Sequence, residues 1–227
     1  MTLRDPEADT RGYVGGPGSR VSYTGDPGRP RPGEGMVQVS DEDLVLAVQA
    51  GDTESLGELV ARWQQPLYRF VTRLVPGPED AHDVCQETFV RILRNARGYR
   101  RGARFSTWMY QIALNLCRDQ VRRRRRWSLI VSENHGTQEP ATPAAEVPRY
   151  DPARAAESRE LAAALGRALG EIPPEQREVL VLKEFEGLKF REIAEILDCP
   201  ESTVKSRMYY GLSGLRDALA RQGIRGA

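Results

Sequence analysis

Apolar side chains recur at helical spacing along two stretches of this chain, about 40–125 and about 153–221, and no strand-like alternation of useful length interrupts them. Order is expected to begin at Ser40, an N-cap ahead of Asp41, Glu42 and Asp43 and the apolar stretch Leu44–Val48. The next helix carries Leu56, Leu59, Val60 and Trp63 on one face. Pro66 should bend or restart it, and Leu67, Phe70, Val71 and Leu74 continue the pattern. Val75-Pro76-Gly77-Pro78 breaks the chain before two helices, about 79–97 and 106–125. Their predicted core stripes are Phe89, Ile92, Leu93 and Ala96, then Met109, Ile112, Ala113 and Leu116.

The second stretch predicts a helix to about Gly170, another opened by Pro173-Pro174 and running to about Phe185, and a helical hairpin. In the hairpin, Phe190, Ile193, Ala194 and Leu197 fall at i, i+3, i+4 and i+7. Pro200 suits the first turn of the last helix, whose apolar stripe is Val204, Met208, Leu212, Leu215 and Leu219. A turn of ~100° per residue puts Ser202, Ser206, Tyr209 and Ser213 on the opposite side, flanked by Lys205 and Arg207. A helix anchored on one side and offering hydroxyl, phenol and cation on the other suits a DNA major groove. Taken alone, the segment also fits an ordinary amphipathic hairpin with a solvated face.

Composition divides the chain further. Residues 1–38 hold eight of its 21 glycines and five of its 15 prolines, with balanced charge and scattered apolar groups. Such a segment cannot bury enough surface to offset chain entropy and is expected to be a disordered extension. Residues 127–152 carry Pro140, Pro143, Pro148 and Pro152, four acidic residues and one arginine, the composition of a flexible linker. The expected fold is therefore all-α: small helical domains at 39–126 and 153–222 on a tether.

A net charge of +1 excludes a global field for polyanions, so any nucleic-acid site must arise from local clustering. Of the 33 basic residues only Lys183, Lys189 and Lys205 are lysines, and arginine suits bidentate phosphate and base contacts. Cys85, Cys117 and Cys199 are far apart, and Met1 is followed by charged, Gly/Pro-rich sequence. Free thiols, a cytoplasmic location and no membrane contact are the expectation. Enzymatic chemistry has little to work with: the histidines are His82 and His135, and no glycine-rich phosphate loop is present. His82-x-x-Cys85 lacks a second pair at metal spacing, so neither a metal nor a cofactor is expected.

Local clustering appears in the first domain. The stretch 98–105 carries Tyr99, Arg100, Arg101, Arg104 and Phe105 and reads as an exposed loop feeding into Trp108 and Tyr110. Asn115 follows, then Arg118, Arg122, Arg123 and the arginines to Arg126. Interleaved rings and arginines suit unpaired nucleic acid, where each stacked base contributes ~1–3 kcal/mol and arginines track phosphates. Asn115 can pair with a base edge through its donor and acceptor. Taken singly, Trp108 and Phe105 also fit as core residues and the arginine run as a solvated helix end.

Together these residues resemble a bacterial RNA polymerase sigma factor of the extracytoplasmic-function group. Asp83-Val84-Cys85-Gln86-Glu87-Thr88-Phe89-Val90-Arg91 is similar to the family's region two signature, and Phe105–Asn115 to the Phe-x-Thr-Trp-Leu-Tyr-x-Ile-Ala-x-Asn run after it. Ile172–Val179, Glu186–Ala194 and Ser202–Arg207 are similar to region four. The likeness covers roughly 41–125 and 155–220, and residues 1–38 have no counterpart in the family's shared core.

The resemblance implies a division of labour. Asp83, Gln86, Glu87 and Arg91 would dock on core RNA polymerase, whose β′ clamp helices and β flap are the family's contact surfaces. Tyr99, Arg101, Arg104, Phe105, Trp108, Asn115, Arg118, Arg122 and Arg123 would capture the melted minus-ten promoter strand. Ser202, Thr203, Lys205, Ser206, Arg207 and Tyr209, with Arg191 nearby, would read the minus-thirty-five duplex. An anti-sigma partner of the kind that holds many members inactive is also implied as a class, though no residue identifies it. The rival expectation is a stand-alone helix-turn-helix regulator that binds duplex DNA unaided.

Overall fold

The structure, a computed structural model, describes residues 39–131 and 152–224. The predicted disordered head and residues 132–151 of the predicted linker lie outside the described residues. The described part is all helical: α1 (Asp41–Gln49), α2 (Glu54–Thr72), α3 (Pro78–Asn95), α4 (Phe105–Val131), α5 (Pro152–Glu171), α6 (Pro174–Leu180), α7 (Phe190–Leu197) and α8 (Glu201–Arg221). A 3₁₀ turn, Ala96–Gly98, extends α3, and α6 widens into a π turn at Val181–Phe185.

Local chemistry explains the boundaries. Ser40 caps α1, its Oγ accepting from the Asp43 backbone N–H at 3.1 Å. Gly77 at φ 99° allows the chain to turn into Pro78, which starts α3 with its missing donor at no cost. Glu42 of α1 caps α4 from outside, accepting from the Phe105 N–H at 3.0 Å. Pro66 does not restart its helix: α2 runs unbroken through it. Leu59, Leu67, Phe70 and Val71 bury completely around it, and that burial outweighs the ~3 kcal/mol that an internal proline costs.

Helices α1 to α4 enclose one part of the core, with Leu59, Leu67, Phe70, Ile92, Phe105, Met109 and Leu114 among its fully buried side chains. Trp63 closes its edge, Nε1 donating to Asp41 Oδ2 at 2.9 Å. The α3 stripe differs from expectation. Ala81, Val84, Cys85, Thr88 and Ile92 are buried, while Leu93 stands 45% exposed. Helix α4 buries a wider face than predicted, adding Tyr110, Leu114 and Cys117, because it is covered both by α2 and α3 and by α7.

The second part of the core gathers Ile172, the run Val179–Leu182, Ile193, Ile196, Leu197, Val204 and Met208. Asp198 adopts the left-handed conformation, φ 50°, that ends α7, and Pro200 is the N-cap of α8, one residue before the position expected. The α8 stripe passes through Gly211 and Ala218, leaving Leu212 at 41% exposure. At Gly211 a Cβ would lie 3.1 Å from Leu180 Cδ1, so the glycine lets α8 pass close to α6. Gly211→Leu should therefore lower stability by about 1–3 kcal/mol through overpacking, read as a drop in the thermal midpoint. An unchanged midpoint would contradict the tight α6–α8 contact.

Candidate nucleic-acid and polymerase interfaces

Helices α7 and α8 form the hairpin the sequence predicts. Val204 and Met208 anchor α8, and the opposite face is open. Ser202, Lys205, Ser206 and Tyr209 are exposed, Tyr209 at 71%, while Thr203 and Arg207 are half-buried. Arg191 on α7 is 86% exposed at its side chain and lies 3.4 Å from Glu195. Lys205 Nζ sits 2.7 Å from Glu201 one turn earlier, a surface pair that a phosphate can displace at little cost. Ser206 Oγ donates to the Thr203 carbonyl at 2.9 Å. Arg207 leans on Cys199 rather than reaching outward, with Nη1 at 4.0 Å from Sγ. Sequence reasoning missed Tyr210, 61% exposed and edge-on to Tyr209 at 5.5 Å between ring centroids. The adjacent tyrosine pair in the sequence was the available signal.

The first domain rearranges its expected site. Tyr99 and Phe105, predicted on an exposed loop, are buried at 5% and 0%. Phe105 opens α4 and faces inward against Trp63, with centroids 6.0 Å apart, because removing a ring from water outweighs leaving it in a loop. Tyr99 turns its hydroxyl onto the Ala103 carbonyl, and burial, with the Glu42 carboxylate nearby, pushes its phenol up to about 12. Trp108 is half-buried between them, 5.2 Å from Tyr99 and 6.4 Å from Phe105. Arg101, Asn115 and Arg123 are exposed, as is Arg122, which pairs with Asp119 on its own helix. Arg124 is tied down, donating to Asp80 at 2.9 Å and to the Pro76 carbonyl at 2.8 Å.

Arg104 and Arg118 are not open to solvent on all sides. Arg118 donates from Nε and Nη2 to the two carboxylate oxygens of Glu178, at 2.8 and 2.6 Å. Arg104 lies 2.8 Å from Glu192. Tyr110 donates to Glu186 at 2.5 Å, and burial, reinforced by that carboxylate, moves its phenol upward. Burial likewise raises Glu186. The Arg73 guanidinium covers the Phe185 ring at 4.1 Å. The helical halves, expected on a tether, thus touch through a row of polar contacts beside the apolar packing of α4 on α7.

On α3, Asp83 and Gln86 are exposed, and Glu87 and Arg91 pair at 3.0 Å. Val90 and Leu93, 37% and 45% exposed, lie among them. Leu93 had been expected in the core. Instead the two side chains give this acidic and amide face an apolar centre, the usual anatomy of a protein interface.

Among the described residues no group of three or more His, Cys, Asp or Glu could hold a metal, and no helix is long and apolar enough to cross a membrane. His82 stacks on Tyr68 at 4.6 Å, and His135 lies outside the described residues.

Comparison with known proteins places these surfaces in a family. The sigma-70 region 2 family model matches residues 59–127 and the sigma-70 region 4 model residues 162–213. The chain is 36% identical to the ECF RNA polymerase sigma factor SigE of Mycolicibacterium smegmatis, over 82% of this chain and 71% of that one. It is 33% identical to the ECF RNA polymerase sigma-E factor of Haemophilus influenzae, over 76% and 91%. It is 30% identical to the RNA polymerase sigma-H factor of Pseudomonas aeruginosa, over 81% and 96%. The fold is similar to CnrH solved in complex with the cytosolic domain of CnrY (TM-score 0.59, 23% identity, 81% of this chain and 99% of that one). It is also similar to RpoE of Bartonella quintana solved with the anti-sigma factor NepR (TM-score 0.58, 20% identity, 72% and 96%). With both conserved-region models matched in order and relatives aligned over most of their length, the chain belongs to the extracytoplasmic-function group of RNA polymerase sigma factors.

Proposed function

We propose that this sigma factor divides promoter recognition among three surfaces. The α3 face of Asp83, Gln86, Glu87, Val90, Arg91 and Leu93 docks on core RNA polymerase. The cationic side of α4, with Asn115, Arg122 and Arg123, and Arg101 in the turn before it, takes the melted minus-ten strand, and Trp108 braces it. The polar face of α8, with Arg191 of α7, reads the minus-thirty-five duplex. The chain performs no bond chemistry of its own and works in the cytoplasm, where the polymerase is. An inhibitory partner of the anti-sigma kind would act by covering the same faces.

The observation that carries this reading is the α8 face. Val204 and Met208 fix one side of the helix while Ser202, Lys205, Ser206 and Tyr209 stand in solvent on the other. Physical economy supports the rest. One helix-turn-helix contacts few base pairs at ~1–3 kcal/mol each, too little to find a promoter in a genome. Opening duplex DNA costs about 1.4 kcal/mol per stacked step, so capture of unpaired bases must accompany melting. Two weak readers fixed on one enzyme supply both selectivity and melting.

The test is transcription in vitro with core polymerase and genomic DNA, mapping start sites. New start sites that share upstream sequence at two positions support the reading, and an unaltered start-site pattern refutes it. The polymerase surface has its own test. Val90→Glu should weaken core binding at least tenfold by placing a charge at the apolar centre, measured by competition for core polymerase. Undiminished binding would move the docking face elsewhere.

A further inference from the structure

We propose that the contact between the two modules is an autoinhibited state, in which Glu178 and Glu192 occupy arginines on and beside α4 that would otherwise engage promoter DNA. The inference rests on the reading of α4 as the strand-capturing helix.

Glu178 has the clearest role. It is 5% exposed, one of two buried polar or charged residues among those described, and both its oxygens are taken by Arg118. A carboxylate on a guanidinium fork presents the same paired oxygens as a phosphodiester. Arg118 cannot hold both. Glu192 is itself positioned: Oε2 accepts from the Lys189 N–H at 2.7 Å at the start of α7, leaving Oε1 for Arg104. Glu186 takes the hydroxyl of the buried Tyr110, little more than two turns before Arg118 on α4, and so helps to hold the modules together. Arg73 over Phe185 adds a fourth point of contact.

The halves also share buried apolar surface where α4 packs on α7. The ion pairs around that surface stay partly open to water, with Arg104 65% and Arg118 34% exposed at their side chains. Such pairs weaken in salt and yield to a competing polyanion. Asn115, Arg122 and Arg123 remain uncovered, so the closed chain keeps a foothold for the strand while its best-oriented arginine is engaged. Because both partners sit on one chain, closure needs only modest contacts, and a surface as large as core polymerase can reverse it.

The test uses the full chain with fluorophores at Gly57 and Ser213, both exposed and on opposite modules. Energy transfer should be high in the free protein and fall with core polymerase or in Glu178→Gln/Glu192→Gln. The same variant should bind a labelled single-stranded DNA of random sequence about tenfold more tightly, the effect of freeing charge-assisted donors. If Glu178→Gln/Glu192→Gln loses its helical circular dichroism, Arg104→Gln, at an exposed side chain, takes its place for energy transfer and should also lower it. Equal transfer in the free wild type and the variants overturns the latch and leaves the α4 reading intact. A variant that opens without gaining DNA affinity overturns the α4 reading and the latch with it.

Discussion

Replacing Lys205 and Arg207 together by alanine should lower promoter-specific initiation about 100-fold, two contacts at roughly 1–2 kcal/mol each compounding. Core binding should stay at the wild-type level, because the face proposed to dock, on α3, belongs to the other module. The two residues contribute differently. Lys205 is exposed, pairs with Glu201 and lies 5.9 Å from the centre of the Phe190 ring, so its ammonium can swap that carboxylate for a phosphate. Arg207 is half-buried against Cys199 and must swing out, or act by holding the α7–α8 turn in shape. The single variants separate these roles. Lys205→Ala should reduce binding evenly across promoter sequences and flatten its salt dependence, whereas Arg207→Ala should also lower the thermal midpoint. Loss of core binding in the double variant would contradict the separation of duties.

The second large effect is expected at Asn115. Its side chain is exposed on α4, between the buried Leu114 and Leu116. Asn115→Ala should lower the open-complex equilibrium about 10- to 100-fold, the worth of about 1–3 kcal/mol in a paired base edge. Initial binding to closed promoter duplex should be unaffected. Alanine is the better helix former, so α4 itself is not weakened, and a loss cannot be assigned to unfolding. Permanganate reactivity of promoter thymines reads the outcome directly, and a normal melting pattern would remove Asn115 from the strand-capturing face. Trp108 is less clean: it lies between Tyr99 and Phe105, so Trp108→Ala removes packing as well as any stacked base.

Helix placement was legible because it depends on short-range period. Ser40, Pro78 and the left-handed Asp198 mark ends that local chemistry dictates. Depth of burial was less legible. Leu212 fits the α8 stripe as well as its neighbours do, but helix approach selects Gly211, which carries no hydrophobic signal. Leu93 has an apolar side chain at core spacing and stands in solvent. Aromatic residues beside arginines cannot be sorted into site and core by composition. Phe105 and Tyr99 went inward, and the cations around them stayed out. The least legible feature is the Arg118–Glu178 pair, which joins residues 60 positions apart. Glu178 lies in α6 among Glu175, Gln176 and Arg177, and only tertiary contact buries it.

The central claim is that neither module selects a promoter until both are mounted on polymerase. The most direct measurement is a nuclease footprint of one promoter with the chain alone, core polymerase alone and the two combined. Protection at both promoter elements only in the combined sample is the predicted result. Equal protection by the chain alone would mark it as a self-sufficient duplex-binding regulator and contradict the account.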